Sequence, residues 1–114
     1  MRVRFRIALF RNDRKLSKKD LIHERDPLLV GMRYILEFKY LEATKWLLIA
    51  EDCWEKFVLL GLTNTALGQE EQGREFLSQA ESQPRRTEVR VFIELPEEGV
   101  RKEIVKVSDL DLPR

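Results

Sequence analysis

Apolar and charged residues alternate at the start of the chain, where Val3, Phe5, Ile7 and Leu9 fall between Arg2, Arg4, Arg6 and Ala8. A period of two with one apolar face predicts a strand over 2–10. Asn12-Asp13 breaks the alternation, and residues 11–26 are mostly polar and basic, with one apolar pair at Leu21-Ile22. They read as a loop with a short helical turn after Ser17 or Asp20. Asp26-Pro27 supplies an acidic cap followed by proline at the first helical position, which starts a helix. Beyond it Leu28, Leu29, Met32, Tyr34, Ile35 and Leu36 occupy nearly the whole circumference, so this helix is expected to be buried on more than one side. Phe38-Lys39 marks a turn. A second helix over about 40–52 is expected to carry Tyr40, Ala43, Leu47, Leu48 and Ala50 toward its neighbour. A third starts near Cys53-Trp54 and ends at Leu67, with Gly68 as its C-cap. The fourth spans about 70–82 and is stopped by Pro84. The period then returns to two, with Val89, Val91, Ile93 and Leu95 between Glu88, Arg90, Phe92 and Glu94. After Pro96-Glu97-Glu98-Gly99 comes a run over 100–107 rich in β-branched residues. The two runs predict a β-hairpin, and 109–114 reads as a frayed tail.

The helical stretch between Pro27 and Pro84 repeats itself. Gly31 falls on Gly61, Ala43 on Gly73, Leu47 on Leu77, Ala50 on Ala80 and Glu51 on Glu81. The offset is 61 − 31 = 30 residues throughout, and self-similarity at such a period marks stacked supersecondary units. Unit one carries Val30-Gly31, Tyr34, Tyr40, Ala43, Leu47 and Ala50; unit two carries Phe57, Leu60-Gly61, Gly68, Gly73, Leu77, Ala80 and Pro84. This spacing of small and bulky residues resembles the tetratricopeptide repeat (TPR), although the period is shorter than the family's roughly 34 residues. The resemblance implies two stacked helical hairpins in which small residues let paired helices approach closely. It also implies a protein-binding groove on the first helix of each unit, lined here by Leu28, Met32, Ile35, Val58 and Leu62. A four-helix arrangement with a chance similarity between its hairpins is the alternative.

An apolar groove of that kind needs a cover. The first strand and the C-terminal hairpin could join into a small antiparallel sheet whose face (Val3, Phe5, Ile7, Val91, Ile93) rests on the helices. A second copy of the chain, in a homodimer, is the other solution. The expected architecture is therefore α+β and mainly α. It is a single domain over 1–114, with an N-terminal strand and basic loop (1–26), two helical hairpins (27–84) and a β-hairpin with tail (85–114).

Composition narrows the function classes. The chain has 114 residues, 36% of them charged, and a net charge of +1, which argues against a whole-protein polyanion binder. The charge is uneven: residues 1–25 hold nine Lys/Arg against three acids. Arg2, Arg4, Arg6, Arg11, Arg14, Lys15, Lys18 and Lys19 could contact a polyanion such as nucleic acid, or guard an exposed strand edge. One cysteine, Cys53, excludes an internal disulfide. The longest apolar runs fall far short of a membrane span, the N-terminus lacks the apolar core of a signal peptide, and the cytoplasm is expected. Abundant Lys, Arg and Glu with only two Asn suit a thermophile.

Catalytic chemistry has little to stand on. His23, the single histidine, reads as a solvated loop residue. His23, Glu24 and Asp26 lack zinc-type spacing. The carboxylate pairs Glu51-Asp52 and Glu70-Glu71 sit at helix ends, where Glu70-Glu71 meets the N-terminal dipole. No phosphate loop or dinucleotide fingerprint occurs. Cys53 reads as packed and inert, and Trp46 and Trp54 as core. The expectation is a non-enzymatic interaction or assembly module without a cofactor or metal. It would bind a protein partner or itself, with a nucleic-acid-associated role as the alternative.

Overall fold

The computed structural model describes residues 5–110; the expectations placed on Arg2, Val3, Arg4 and 111–114 lie outside them. The described residues form a mainly helical α+β fold, with four α-helices and a four-stranded antiparallel sheet. Strand β1 (Arg6–Arg11) turns back into the two-residue β2 (Arg14–Lys15). Helices α1 (Pro27–Leu36), α2 (Tyr40–Ile49), α3 (Trp54–Ala66) and α4 (Glu70–Ala80) follow, then β3 (Arg90–Leu95) and β4 (Val100–Glu103). The sheet order is β2-β1-β3-β4, so the first strand pairs with the C-terminal hairpin across most of the sequence.

One feature of the N-terminal segment differs from the expected loop, and the short helical turn expected after Ser17 is present. Asn12 and Asp13 sit at φ 52° and 66°, the left-handed conformation that a two-residue hairpin turn demands at both positions. The chain therefore folds into a β1–β2 hairpin. Ser17 and Asp20 then close a capping box on a 3-10 turn over Lys18–Leu21, which buries Leu21 completely.

The helical repeat recurs in backbone detail. α1 packs on α2, α3 on α4, and α2 on α3. A Cβ added at Gly31 would lie 2.8 Å from the Leu47 side chain; one at Gly61 would lie 2.5 Å from Leu77 and 3.0 Å from the Gly73 carbonyl oxygen. Both glycines are thus pressed against the equivalent leucine of the following helix. The hairpin turns also superpose in pattern. Lys39 N–H bonds the Tyr34 carbonyl and Phe38 N–H that of Ile35, while Gln69 and Gly68 repeat these bonds to Asn64 and Thr65. This is the Schellman closure, which needs a left-handed residue just past the helix. Phe38 (φ 60°) fills that place in unit one and Gly68 (φ 87°) in unit two.

The sheet lies over the helices through its odd-numbered face. Phe5, Ile7, Leu9, Val89, Val91 and Ile93 form one continuous core with Leu28, Met32 and Ile35 of α1 and Val58 and Leu62 of α3. α3 is the central rod, buried at every position from Trp54 to Asn64. Two charged residues at its start make that burial possible. The Glu55 carboxylate, fully buried, accepts hydrogen bonds from the backbone N–H groups of Arg86 and Thr87 and from the Thr87 hydroxyl. Lys56 Nζ donates to the carbonyls of Leu48 and Ala50 and to Asp52, satisfying carbonyls that the end of α2 leaves open.

Candidate interaction surface

Leu28, Met32, Ile35, Val58 and Leu62, expected to line a groove, are each at most 1% exposed. The groove reading is corrected: the chain's own sheet covers these positions, and they are core. β1 and β3 supply the cover, so no second subunit is required there.

The basic segment does not form one unpaired patch. Arg14 is held by Asp20 and Lys15 by Glu94. Asp20 is correspondingly kept below the usual carboxylate range by the Ser17 backbone N–H and then by Arg14. Arg6 is exposed with its guanidinium 5.9 Å from the centre of the Phe38 ring, Arg11 is half-buried, and Lys18 and Lys19 are exposed on the 3-10 turn. The outer sheet face is also internally compensated. Phe10 and Phe92 lie 4.7 Å apart, Arg101 stacks 4.8 Å from the Phe10 ring, and Arg90 makes a two-pronged ion pair with Glu103.

The remaining chemical candidates are structural. Cys53 caps α3 by accepting the Lys56 N–H, is 1% exposed, and has its thiol pushed up by burial, so the thiolate a nucleophile needs is disfavoured. His23, Glu51, Glu70 and Glu71 are exposed. Among the described residues no three His, Cys, Asp or Glu side chains gather as metal ligands, and no helix is long and apolar enough to cross a membrane. Trp54 is buried beneath the Arg85 guanidinium, 3.7 Å from its ring, and Trp46 is half-buried.

The surface that stands out is the outer face of α2. Leu41 is 57% exposed, Leu48 54% and Ile49 67%, with Phe38 at 64% just ahead of the helix. Of the residues expected to face the neighbouring helix, Leu47 does so, against Gly31, whereas Leu48 is exposed. α2 is apolar on both sides. Ala43, Leu47 and the following Ala50 point inward, while Leu41 and Leu48 project within about 20° of each other on the opposite side. Charged residues share this face: Lys45 projects between Leu41 and Ile49 around the helix, with Glu42 next to it, Lys39 before the helix and Glu51 and Asp52 beyond it, all exposed.

Phe38 joins this stripe to a cleft of about 630 Å³ between β1, the 3-10 turn and the α1–α2 turn, lined by Arg6, Lys18, Leu36 and Lys39 among others. Tyr40, behind it, has its phenol pushed up by burial despite the opposing charge of Arg6. The sequence signal that could have found this surface was present: α2 carries more apolar residues than one buried face can take.

Comparison of the chain with protein-family models, with curated proteins and with solved structures finds no match in any of the three.

Proposed function

We propose that the protein is a non-enzymatic interaction or assembly module built on two TPR-like helical hairpins, acting in the cytoplasm through the outer face of α2. The observation that carries this reading is the set of exposed large apolar residues on and beside α2: Phe38, Leu41, Leu48 and Ile49. An apolar helix face left in water by an otherwise closed core marks a surface that something covers. The strain at Phe38 supports it. A bulky residue in the left-handed region costs about 1–3 kcal/mol, and such residues gather at functional sites. The matching turn shows that glycine does the structural job. The nucleic-acid reading is supported less, because Arg14 and Lys15 are already committed to Asp20 and Glu94.

A photo-crosslinking residue placed at position 48 in cells tests the reading. It is expected to capture polypeptide, while the same residue at exposed Glu71 on α4 captures little. Equal yields at the two positions would remove α2 as the working surface.

A further inference from the structure

We infer that the cleft between β1, the 3-10 turn and the α1–α2 turn binds a small phosphomonoester carrying a flat ring, with Arg6 and Lys18 on the phosphate and Phe38 against the ring. The site shares only Phe38 with the α2 face, so either can stand without the other. Charge selects the ligand. Arg6, Lys15, Lys18 and Lys39 line the cleft against two carboxylates, Glu37 and Glu94, which leaves a formal surplus of two positive charges. Both carboxylates are committed. Glu94 holds Lys15 at 3.2 Å, and Glu37 lies 3.9 Å from Lys39 and 3.8 Å from Arg33. Arg6 stands across the ladder from Glu94, but that carboxylate is turned to Lys15, and the Arg6 guanidinium lies over Phe38 instead. Among the described residues Arg6 and Lys18 form no ion pair. A phosphomonoester carries about −1.5 to −2 charges at pH 7, which these two cations match. A guanidinium can also engage two of its oxygens at once.

Shape selects the rest. At about 630 Å³ the cleft falls within the range of small-molecule sites, roughly 300–1,000 Å³. Ile7, Leu16 and Leu36 supply apolar surface inside it. Phe38 lines it as well, largely exposed, with the Arg6 guanidinium 5.9 Å from its ring centre. Ring and cation therefore stand close enough to meet the ring and phosphate of one small molecule together. Glycine would take the left-handed turn at position 38 without strain; phenylalanine there gives a flat apolar face beside a guanidinium.

NMR titration of the isotope-labelled full chain tests the site, at low salt because exposed cations are screened; the spectra themselves report folding. Phenyl phosphate is expected to shift the amides of residues 6, 18 and 36–39, with a dissociation constant on the order of 0.1 mM. Benzoate, with the ring but a single charge, should bind about tenfold more weakly. Inorganic phosphate, with the charge but no ring, should lose about fivefold. Arg6→Gln should weaken phenyl phosphate about tenfold and Lys18→Gln about fivefold. Phe38→Gly should reduce it to the level of inorganic phosphate. Lys19→Gln, on the same 3-10 turn but outside the cleft, should change nothing. Amides unmoved at roughly a hundred times the expected dissociation constant, benzoate as tight as phenyl phosphate, or Lys19→Gln as damaging as Lys18→Gln overturns the proposal. A short phosphotyrosine peptide identifies the source of the ligand. Affinity equal to phenyl phosphate marks a free small molecule, and a clear gain places the same ring and phosphate on a protein side chain; either upholds the site.

Discussion

Phe38 and Gly68 pose the same residue-scale question in one molecule. Both close a Schellman turn in the left-handed region, which is strained for a phenylalanine and free for a glycine. Phe38 is 64% exposed and its ring meets only the Arg6 guanidinium among the described aromatic contacts, so it recovers little of that cost by burial. Phe38→Gly is therefore expected to leave stability unchanged or raise it by up to about 1 kcal/mol, as read from the urea midpoint, while lowering the crosslinking yield at position 48. Gly68→Ala, the reverse experiment, is expected to lose about 1 kcal/mol. A Phe38→Gly chain that is clearly less stable would make Phe38 a packing residue and withdraw it from the binding surface.

At the scale of elements, the repeat was legible because its signal is steric and local. Gly31, Gly61 and Gly73 stand where one helix backbone meets the next, and no larger residue fits all three places. Their tolerances differ. A Cβ at Gly31 meets the end of the Leu47 side chain, whereas one at Gly73 meets the Gly61 carbonyl oxygen at 2.8 Å and crowds the Thr65 hydroxyl. Alanine gains about 1 kcal/mol over glycine inside a helix, which offsets the Leu47 contact but not a collision with backbone. Gly31→Ala is expected to be near neutral and Gly73→Ala to cost about 2 kcal/mol in urea titrations. Equal effects would mean that the Gly61 carbonyl does not set the limit at Gly73. What the sequence concealed has the same kind of explanation. Asn12-Asp13 lacks the glycine that usually announces a tight hairpin, so β2 was invisible. α2 carries apolar residues on both sides, so its pattern put Leu47 and Leu48 inward together. Glu55 and Lys56 look like a solvated first turn until Arg86, Thr87 and the end of α2 are brought to them from elsewhere in the chain. The groove failed for a different reason: its residues were identified correctly as apolar and helical, but whether a strand or a second molecule covers them is a long-range property.

For the molecule as a whole, the helices and the sheet are joined through the segment between α4 and β3. Pro84 accepts the Trp54 N–H, Glu55 holds the amides of Arg86 and Thr87, and the Arg86 guanidinium grips Asp26 with contacts of 2.6 and 3.1 Å. Asp26 also caps α1 by accepting the Leu28 N–H. Partial burial opposes its ionisation, but the bonds from Arg86 and Leu28 prevail and hold its carboxyl below the usual range. The direction fixes the pH window. A carboxyl with a depressed folded pKa contributes stability above its unfolded value of about 3.9, and loses it as pH falls through the folded value. Glu103, lowered by Arg90, acts in the same sense. Asp26→Asn keeps a capping side chain and removes only the charge, so it should cost about 1 kcal/mol at pH 7. That gap should narrow as pH falls through the folded pKa of Asp26 and the wild-type carboxyl also becomes neutral. Asp26→Ala removes the cap as well and should leave a residual loss of about 1 kcal/mol even in acid. Urea midpoints for the three chains between pH 7 and 2.5 separate the two contributions. A gap between wild type and Asp26→Asn that persists undiminished once the wild-type carboxyl has taken up its proton would show that something other than the Arg86 charge ties the layers together there.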